Sequence, residues 1–306
     1  MRIRVAGVVF LLAGVLALSG TALAINVTPT TDGDTLAGAL VGAGTSISNV
    51  TFVGGSGTSG IPFSAGAFTS GGVGIDTGII LTTGNVALED GVNSSDSSAG
   101  EIGNSAVTDT DLEGLIPQDI TDKTVLEFDF TTDSDSIFFS YVFASEEYNE
   151  FTNTGFNDVF GFFLSGNGLS STNIALIPGT STPVSINNVN GGNPELGEDP
   201  TPHNAQFFNN NDLSDGGGAI ATEYDGFTDV FTASATGLTP GATYHLKLGI
   251  ADAGDTDYDS AVFLKAGSFS SEPPPVTSVP EPATLVLMGS GLLCLSSIVR
   301  RRGKKS

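Results

Sequence analysis

The sequence predicts an all-β protein, built as an antiparallel β-sandwich or jelly roll, between an N-terminal export signal and a C-terminal transmembrane helix. Three observations lead to this prediction. Apolar and polar residues alternate over short runs, which is the period of a half-buried strand. Clusters of Gly, Asn and Pro separate these runs, and no long stretch shows the apolar spacing of a helix.

The first 24 residues have the three parts of a secretory signal peptide. Two arginines form a basic start, residues 5–18 are apolar, and Ala22 and Ala24 give the small-x-small pattern of a cleavage site. The apolar run is short for a membrane span. We therefore expect signal peptidase to remove residues 1–24.

The strand candidates lie within residues 25–270, which we expect to form one domain. The alternation is clearest at 126–130 and 244–250, where apolar residues occupy every second position. The other candidates are 50–53, 78–82, 137–143, 159–164, 173–177, 229–233 and 260–269. The Gly-rich stretch 54–74 and the Asn, Gly and Pro-rich stretch 187–218 predict loops.

This domain is strongly acidic and has no disulfide. Residues 25–272 contain 3 basic and 33 acidic residues, which is a net charge of −30. Such a field excludes nucleic acid as a partner and opposes folding by self-repulsion, unless cations bind or salt screens it. The single cysteine, Cys294, lies in the tail. An exported domain of this kind must rely on its core or on a metal.

Two groups of carboxylates lie next to strand candidates. The run 137–143 passes directly into Glu146 and Glu147, and Asp158 begins the next apolar run. If these two runs pair as antiparallel neighbours, the three carboxylates lie at one rim of the sheet. The second group follows the run 244–250 and consists of Asp252, Asp255, Asp257 and Asp259.

Carboxylates grouped this closely predict a cation site. Two of them about 4 Å apart repel by roughly 4 kcal/mol at an effective dielectric constant of about 20. Calcium takes about six to eight oxygen ligands from flexible loops, and weak loop sites match extracellular concentrations. The run 255–259 begins like an EF-hand loop but lacks its glycine and its final glutamate, so solvated strand-end carboxylates are the alternative. The predicted calcium ligands are Glu146, Glu147, Asp158, Asp252, Asp255 and Asp259.

Five sequence blocks resemble the choice-of-anchor L domain. They are, in the order of that family, GIDTGIILTTGNV, TVLEFDF, YVFASEEYNEF, GFNDVFGFFLSG and IADAGDTDYDSAVFLKAGSF. The family is named for the variety of surface-sorting tails that its members carry. The resemblance therefore implies an exported surface protein and adds little about chemistry.

The end of the chain resembles a PEP-CTERM sorting signal. A proline-rich stalk at 271–282 ends in Pro280, Glu281 and Pro282, the uncharged stretch 283–299 follows, and residues 300–306 are basic. The prolines keep Glu281 extended, as a protease cleft requires. The uncharged stretch is long enough to span the inner membrane, with the basic tail in the cytoplasm. The resemblance implies processing by exosortase, which releases the protein or re-anchors it at the cell surface or in the extracellular matrix.

The residues favour a non-catalytic protein of the cell surface or the exopolysaccharide matrix. Adjacent Glu146 and Glu147 would point to opposite faces of an extended chain, so they do not form the facing pair of a glycoside hydrolase. The sequence also lacks a nucleophile elbow, and its two histidines do not predict a zinc site. A calcium-dependent carbohydrate-binding module or adhesin is the alternative, by analogy with other sandwiches. A glycoside hydrolase that uses Glu147 and a distant aspartate is less favoured.

Overall fold

The computed structural model describes residues 25–69, 72–89, 91–103, 108–192, 199–218 and 220–275. The predicted signal peptide, the Pro280–Glu281–Pro282 element, the helix at 283–299 and the basic tail lie outside the described residues. Within the described ranges, no helix has both the length and the apolar character that a membrane span requires.

Two antiparallel sheets form the fold, as the sequence predicts. The first sheet contains, in spatial order, β1 (Asn26–Pro29), β3 (Ala65–Thr69), β4 (Thr77–Thr82), β14 (Ser260–Lys265), β6 (Ser136–Ser145), β11 (Gly226–Thr228) and β10 (Phe208–Asn210), and β12 (Phe231–Thr236) also pairs with β6. The second sheet contains β2 (Thr45–Val53), β5 (Ile120–Thr132), β13 (Thr243–Ala253), β7 (Val159–Gly166) and β8 (Leu169–Asn173), and β9 (Val184–Ser185) pairs with β7. The helices are α1 (Gly33–Leu40) and short 3₁₀ turns at Val86–Glu89, Ile186–Asn188 and Ala205–Phe207.

Phenylalanine side chains fill the core between the sheets. Phe139 of β6 packs edge to face against Phe162 of β7, with ring centroids 4.7 Å apart, so the two sheets interdigitate. Smaller apolar clusters cover the opposite face of each sheet, around Phe263 in the first and Phe163 in the second. The segment 25–272 therefore has its own core and all the described strands, and it can fold without the tail.

The two strands that flank the first acidic group lie in different sheets, so the predicted β6–β7 pair is wrong. β6 pairs with β11, β12 and β14, whereas β7 pairs with β8, β9 and β13. Both runs are apolar on both faces, and such a pattern shows that a strand is central without showing which sheet it joins.

The predicted rim nevertheless forms, because the connections that follow β6 and β13 both cross between the sheets at the same end. The connection after β6 leads from the first sheet to the second, and the connection after β13 leads back. Ser145 at the end of β6 faces Ser260 at the start of β14, and Val159 at the start of β7 faces Ala251 near the end of β13.

Three other predictions differ from the structure. The Gly-rich stretch is not wholly a loop, because residues 65–69 form β3, where a β-carbon at Gly66 would lie only 2.8 Å from the Thr28 carbonyl oxygen. The strand expected at 173–177 ends instead at residue 173, because a tight turn at 166–168 brings β8 back onto β7. The stretch 187–218 contains β10 and the fully buried Asn211, so it is not simply a surface loop.

Candidate metal centres

Buried carboxylates crowd the end of the sandwich where the chain crosses between the sheets. Each of them is 2% exposed or less. These carboxylates repel one another. The charges of Asp158, Asp259 and Asp122 raise the pKa of Asp252, and the charge of Asp158 raises the pKa of Glu147. We refer to these five residues as the crossover cluster: Asp122, Glu147, Asp158, Asp252 and Asp259.

Two of these aspartates, Asp122 and Asp252, occupy buried positions of β5 and β13 at a β-bulge between the two strands. The pairing of β13 with β5 shifts register between Ala251 and Ala253, and Asp252 and Asp122 lie at this irregularity. A bulge bends the strand locally. Asp252 continues the core-facing positions of β13 within residues 244–250, and Asp122 continues the buried positions of β5.

Hydrogen bonds hold Asp158 and Asp259 in place. The backbone N–H of Ala253 donates to Asp158 Oδ1 at 2.9 Å, and the Ser260 hydroxyl donates to Oδ2 at 2.6 Å. Asp259 accepts hydrogen bonds from the backbone N–H groups of Asn85, at 3.3 Å, and Gly100, at 3.1 Å. The backbone at Gly84 packs so closely on this carboxylate that a β-carbon there would overlap it.

Asp252 and Glu147 have fewer partners than their burial requires. Within the described part of the chain, neither oxygen of Asp252 accepts a hydrogen bond of normal geometry, although the Thr83 side chain lies close enough to lower its pKa. The Asp252 carboxyl group also lies close enough to Asp158 to lower the pKa of Asp158 by a hydrogen bond. Glu147 Oε2 is also buried without a partner among the described residues. Because burying an ionised carboxylate without compensation is costly, these oxygens need either a proton or a cation.

Burial is the main cause of the raised pKa values in the crossover cluster. It raises the pKa of Glu147 to about 10, with a further contribution from the negative charge of Asp158. The pKa of Asp158 rises to about 7 and that of Asp259 to about 6, in spite of their hydrogen bonds. Burial, followed by repulsion from Asp158 and Asp259, raises the pKa of Asp252 well above its ordinary value.

Among the described residues, the salt bridges of the lysines leave out four of the five cluster members. Lys123 forms a salt bridge with Asp109 at 3.3 Å, and Lys247 forms one with Asp111 at 3.0 Å. Lys265 is exposed at the end of β14. No salt bridge of the described residues reaches the four cluster members Glu147, Asp158, Asp252 and Asp259.

The six predicted ligands occupy the same end of the sandwich in different roles. Glu146 is buried, and its Oε2 accepts a hydrogen bond from the Ser98 backbone at 3.2 Å. Asp255 is half-buried, and burial raises its pKa. Residues 146–150 form a turn, so Glu146 and Glu147 do not alternate as they would in an extended chain, and that argument against catalysis does not apply.

A second acidic group was missed in the sequence. One carboxylate oxygen from each of Asp96, Asp212 and Asp225 lies within 4.8 Å of the other two. Among the described residues, this is the group of three acidic side chains whose oxygens lie so close together. These aspartates lie far apart in the sequence and outside any strand pattern. The signal that could have indicated them is the dense NNND run at 209–212. We refer to these three residues as the acidic triad.

The aromatic residues of the connections at this end of the sandwich divide into two groups. Tyr148 is fully buried, and its hydroxyl donates to the Val189 carbonyl oxygen at 2.7 Å. Phe151, Phe156 and Tyr258 are half-buried and contact one another, with ring centroids 5.5 Å apart for Phe151 and Phe156 and 5.0 Å apart for Phe151 and Tyr258. The second group lies near the crossover cluster, because the pKa of Tyr258 is raised first by burial and then by the charge of Glu147.

Two family models match the chain. Residues 26–270 match the choice-of-anchor L domain, and residues 278–302 match the PEP-CTERM protein-sorting motif. No curated protein and no solved structure matches it. Both resemblances inferred from the sequence are therefore confirmed.

Proposed function

This chain belongs to the choice-of-anchor L domain family, and from that premise we propose that it is a non-catalytic component of the cell surface or the exopolysaccharide matrix whose exported domain binds calcium at the crossover cluster. Its sorting motif implies a secreted protein that exosortase processes. The calcium ion would neutralise carboxylates that the fold buries and that its own lysines do not reach.

The burial of Asp252 is the observation that carries the calcium proposal. This side chain is 2% exposed, neither of its oxygens accepts a normal hydrogen bond within the described residues, and the buried Asp158 and Asp259 act on its pKa. The surrounding carboxylates offer only oxygen ligands, which is the ligand type that calcium prefers. We expect Asp252, Asp158 and Glu147 to bind the ion, with Asp259 held in place by its backbone donors. Oxygens of these three ligands do not all lie within 4.8 Å of one another in the structure, so the ion would have to draw the side chains together.

Thermal unfolding of the domain at residues 25–272 tests this proposal. Millimolar calcium should raise the melting temperature, because an ion that binds only the folded state stabilises it by about 2.7 kcal/mol at 100 times its dissociation constant. Asp252→Asn should lose most of this rise, whereas the control Asp76→Asn, which changes an exposed carboxylate, should keep it. An equal rise with magnesium would indicate general charge screening and contradict a calcium site.

Processing at the tail is tested by Glu281→Ala in the full chain. Full-length protein should accumulate in the membrane fraction, because exosortase would no longer recognise the extended segment between the two prolines. The control Glu272→Ala changes an acidic residue of the same stalk and should be processed as the wild type is. Immunoblotting of membrane and extracellular fractions measures this, and normal processing of Glu281→Ala would exclude recognition at that residue.

One observation favours a second candidate function, which is calcium-dependent carbohydrate binding. The half-buried group of Phe151, Phe156 and Tyr258 presents aromatic rings beside the crossover cluster. Aromatic rings with polar neighbours are common in ligand sites. A glycan array with calcium, with chelator and with Tyr258→Ala separates the candidates, since a matrix scaffold predicts no signal that depends on calcium or on Tyr258.

A further inference from the structure

Three carboxylates from distant parts of the chain converge beside β11. The oxygens of the acidic triad lie within 4.8 Å of one another, and two ligands on opposite sides of a calcium ion are about 4.8 Å apart at bond lengths of about 2.4 Å. Asp212 and Asp225 are 1% and 0% exposed, whereas Asp96 is exposed. The group is therefore open to solvent on the side of Asp96.

Asp225 provides an independent sign that a ligand belongs in this group. Its Oδ1 accepts a hydrogen bond from Asn93 Nδ2 at 2.6 Å, whereas its Oδ2 is buried and has no partner among the described residues. A buried carboxylate in this state needs a positive charge or a proton.

The Asn149 side-chain amide lies close to more acceptor oxygens than it has hydrogens to donate. Its Nδ2 lies 3.2 Å from Asn210 Oδ1, 3.3 Å from Asp212 Oδ2 and 3.2 Å from Asp215 Oδ2. A primary amide has two hydrogens, so at least one of these oxygens is left without a donor from Asn149. Asn149 Oδ1 is itself buried without a partner in the described part of the chain. The surplus of oxygens is what a cation site requires.

Asp212 is fixed in position before any ion arrives. Its Oδ1 accepts from the Ser214 backbone at 2.6 Å, from the Ser214 hydroxyl at 2.9 Å and from the Asp215 backbone at 3.2 Å. These bonds leave Oδ2 on the side of Asn149. A preorganised ligand of this kind lowers the entropy that binding would otherwise cost.

We propose that the acidic triad is a second calcium site, in which Asp96, Asp212 and Asp225 bind the ion and the Asn149 amide donates to Asp212 Oδ2. The site is separate from the crossover cluster, but the turn at 146–150 serves both, since Glu147 belongs to the cluster and Asn149 contacts Asp212. Glu150 in the same turn raises the pKa values of both Glu147 and Asp225. Two ions would thus flank the acidic turn that follows β6.

Counting bound ions tests the second site. Calorimetric titration with calcium and native mass spectrometry of the domain at residues 25–272 should give two ions per chain. Asp225→Asn should retain the ion of the crossover cluster, Asp252→Asn should retain the ion of the triad, and the double variant should bind neither. A wild-type domain that binds a single ion, lost in Asp252→Asn and retained in Asp225→Asn, would overturn the second site and leave the proposed function intact. The opposite pattern would support the triad and overturn the crossover cluster.

An exposed ligand keeps the test valid if Asp225→Asn does not fold. Asp96→Asn alters an exposed side chain and should weaken binding at one site at least tenfold while leaving the other unchanged. The matched control Asp229→Asn removes an exposed carboxylate near β11 and should bind both ions as the wild type does. Two ions bound with unchanged affinity in Asp96→Asn would contradict the proposal.

Discussion

At the scale of single residues, two aspartates with the same burial have different environments. Asp158 and Asp252 are 1% and 2% exposed, yet Asp158 accepts two hydrogen bonds and Asp252 accepts none of normal geometry within the described residues. Hydrogen bonds favour the charged form of a carboxyl group and offset part of the cost of burial. The charged form of Asp252 therefore depends on a neighbouring charge or an ion, and a proton competes with that ion.

We predict that the calcium-free domain loses stability as the pH rises from 5 to 8. Burial raises the folded-state pKa of Asp158 to about 7, of Asp225 to about 8 and of Glu147 to about 10, whereas the unfolded values lie near 4. The folded state thus holds these protons more tightly than the unfolded state. The stabilisation that results is complete below about pH 4 and is lost as the pH rises toward each folded pKa.

Melting temperatures in EDTA at pH 5, 6.5 and 8 measure this effect. Calcium should raise the melting temperature more at pH 8 than at pH 5, because its ligands must be deprotonated before they bind. Asp225→Asn should reduce the pH dependence, and Asp76→Asn should leave it unchanged. A melting temperature in EDTA that is constant or higher at pH 8 would show that the buried carboxylates are already compensated.

At the scale of strands and connections, the sequence predicts the elements better than their partners. The alternation at 126–130 and 244–250 correctly predicts β5 and β13, because one face of each strand packs on the core. Sheet membership of β6 and β7 could not be predicted, since both strands are apolar on both faces. Alternation of apolar and polar residues indicates that a strand is present. The strands with which it pairs depend on how the chain crosses between the sheets.

The same distinction holds for the candidate sites. Glu147, Asp158, Asp252 and Asp259 lie next to strand ends, so their nearness could be expected from the sequence. That Asp122 joins them could not, because it depends on the register between β5 and β13, two strands that are distant in the chain. The acidic triad was missed because the pairing of β10 with β11 brings Asp212 close to Asp225, and a tertiary contact with a distant loop adds Asp96.

Phe162→Ala should show how strongly the two sheets depend on each other. The Phe162 ring contacts Phe139 and Tyr141 of the first sheet and Phe160 of its own strand, at centroid distances of 4.7, 5.3 and 4.5 Å. Removing a buried phenylalanine ring costs about 3–5 kcal/mol through lost burial and the cavity left behind.

Urea unfolding in calcium measures this loss. The control Leu169→Ala alters an edge residue of β8 that is 47% exposed, and it should change the free energy of unfolding by no more than about 0.5 kcal/mol. A loss below about 1 kcal/mol for Phe162→Ala would mean that the sheets are held together mainly by other contacts.

At the scale of the whole molecule, the distribution of charge separates the effects of salt and calcium. The segment 25–272 has a net charge of −30, and two of its three lysines form salt bridges with Asp109. Long-range repulsion among the remaining carboxylates opposes the folded state. Sodium chloride screens this repulsion, whereas an ion bound at a site acts locally and at a much lower concentration.

We predict that sodium chloride stabilises the calcium-free domain without replacing calcium. Raising the salt from about 0.01 to 1 M shortens the screening length from about 30 to about 3 Å, so the melting temperature in EDTA should rise because exposed charges repel less. Buried charges are screened much less than exposed ones, so calcium should still raise the melting temperature in 1 M salt. The double variant Asp225→Asn with Asp252→Asn should respond to sodium chloride as the wild type does and lose the response to calcium. If 1 M sodium chloride alone produced the full effect of calcium in the wild type, screening would account for the stability of this acidic fold, and neither site would be needed.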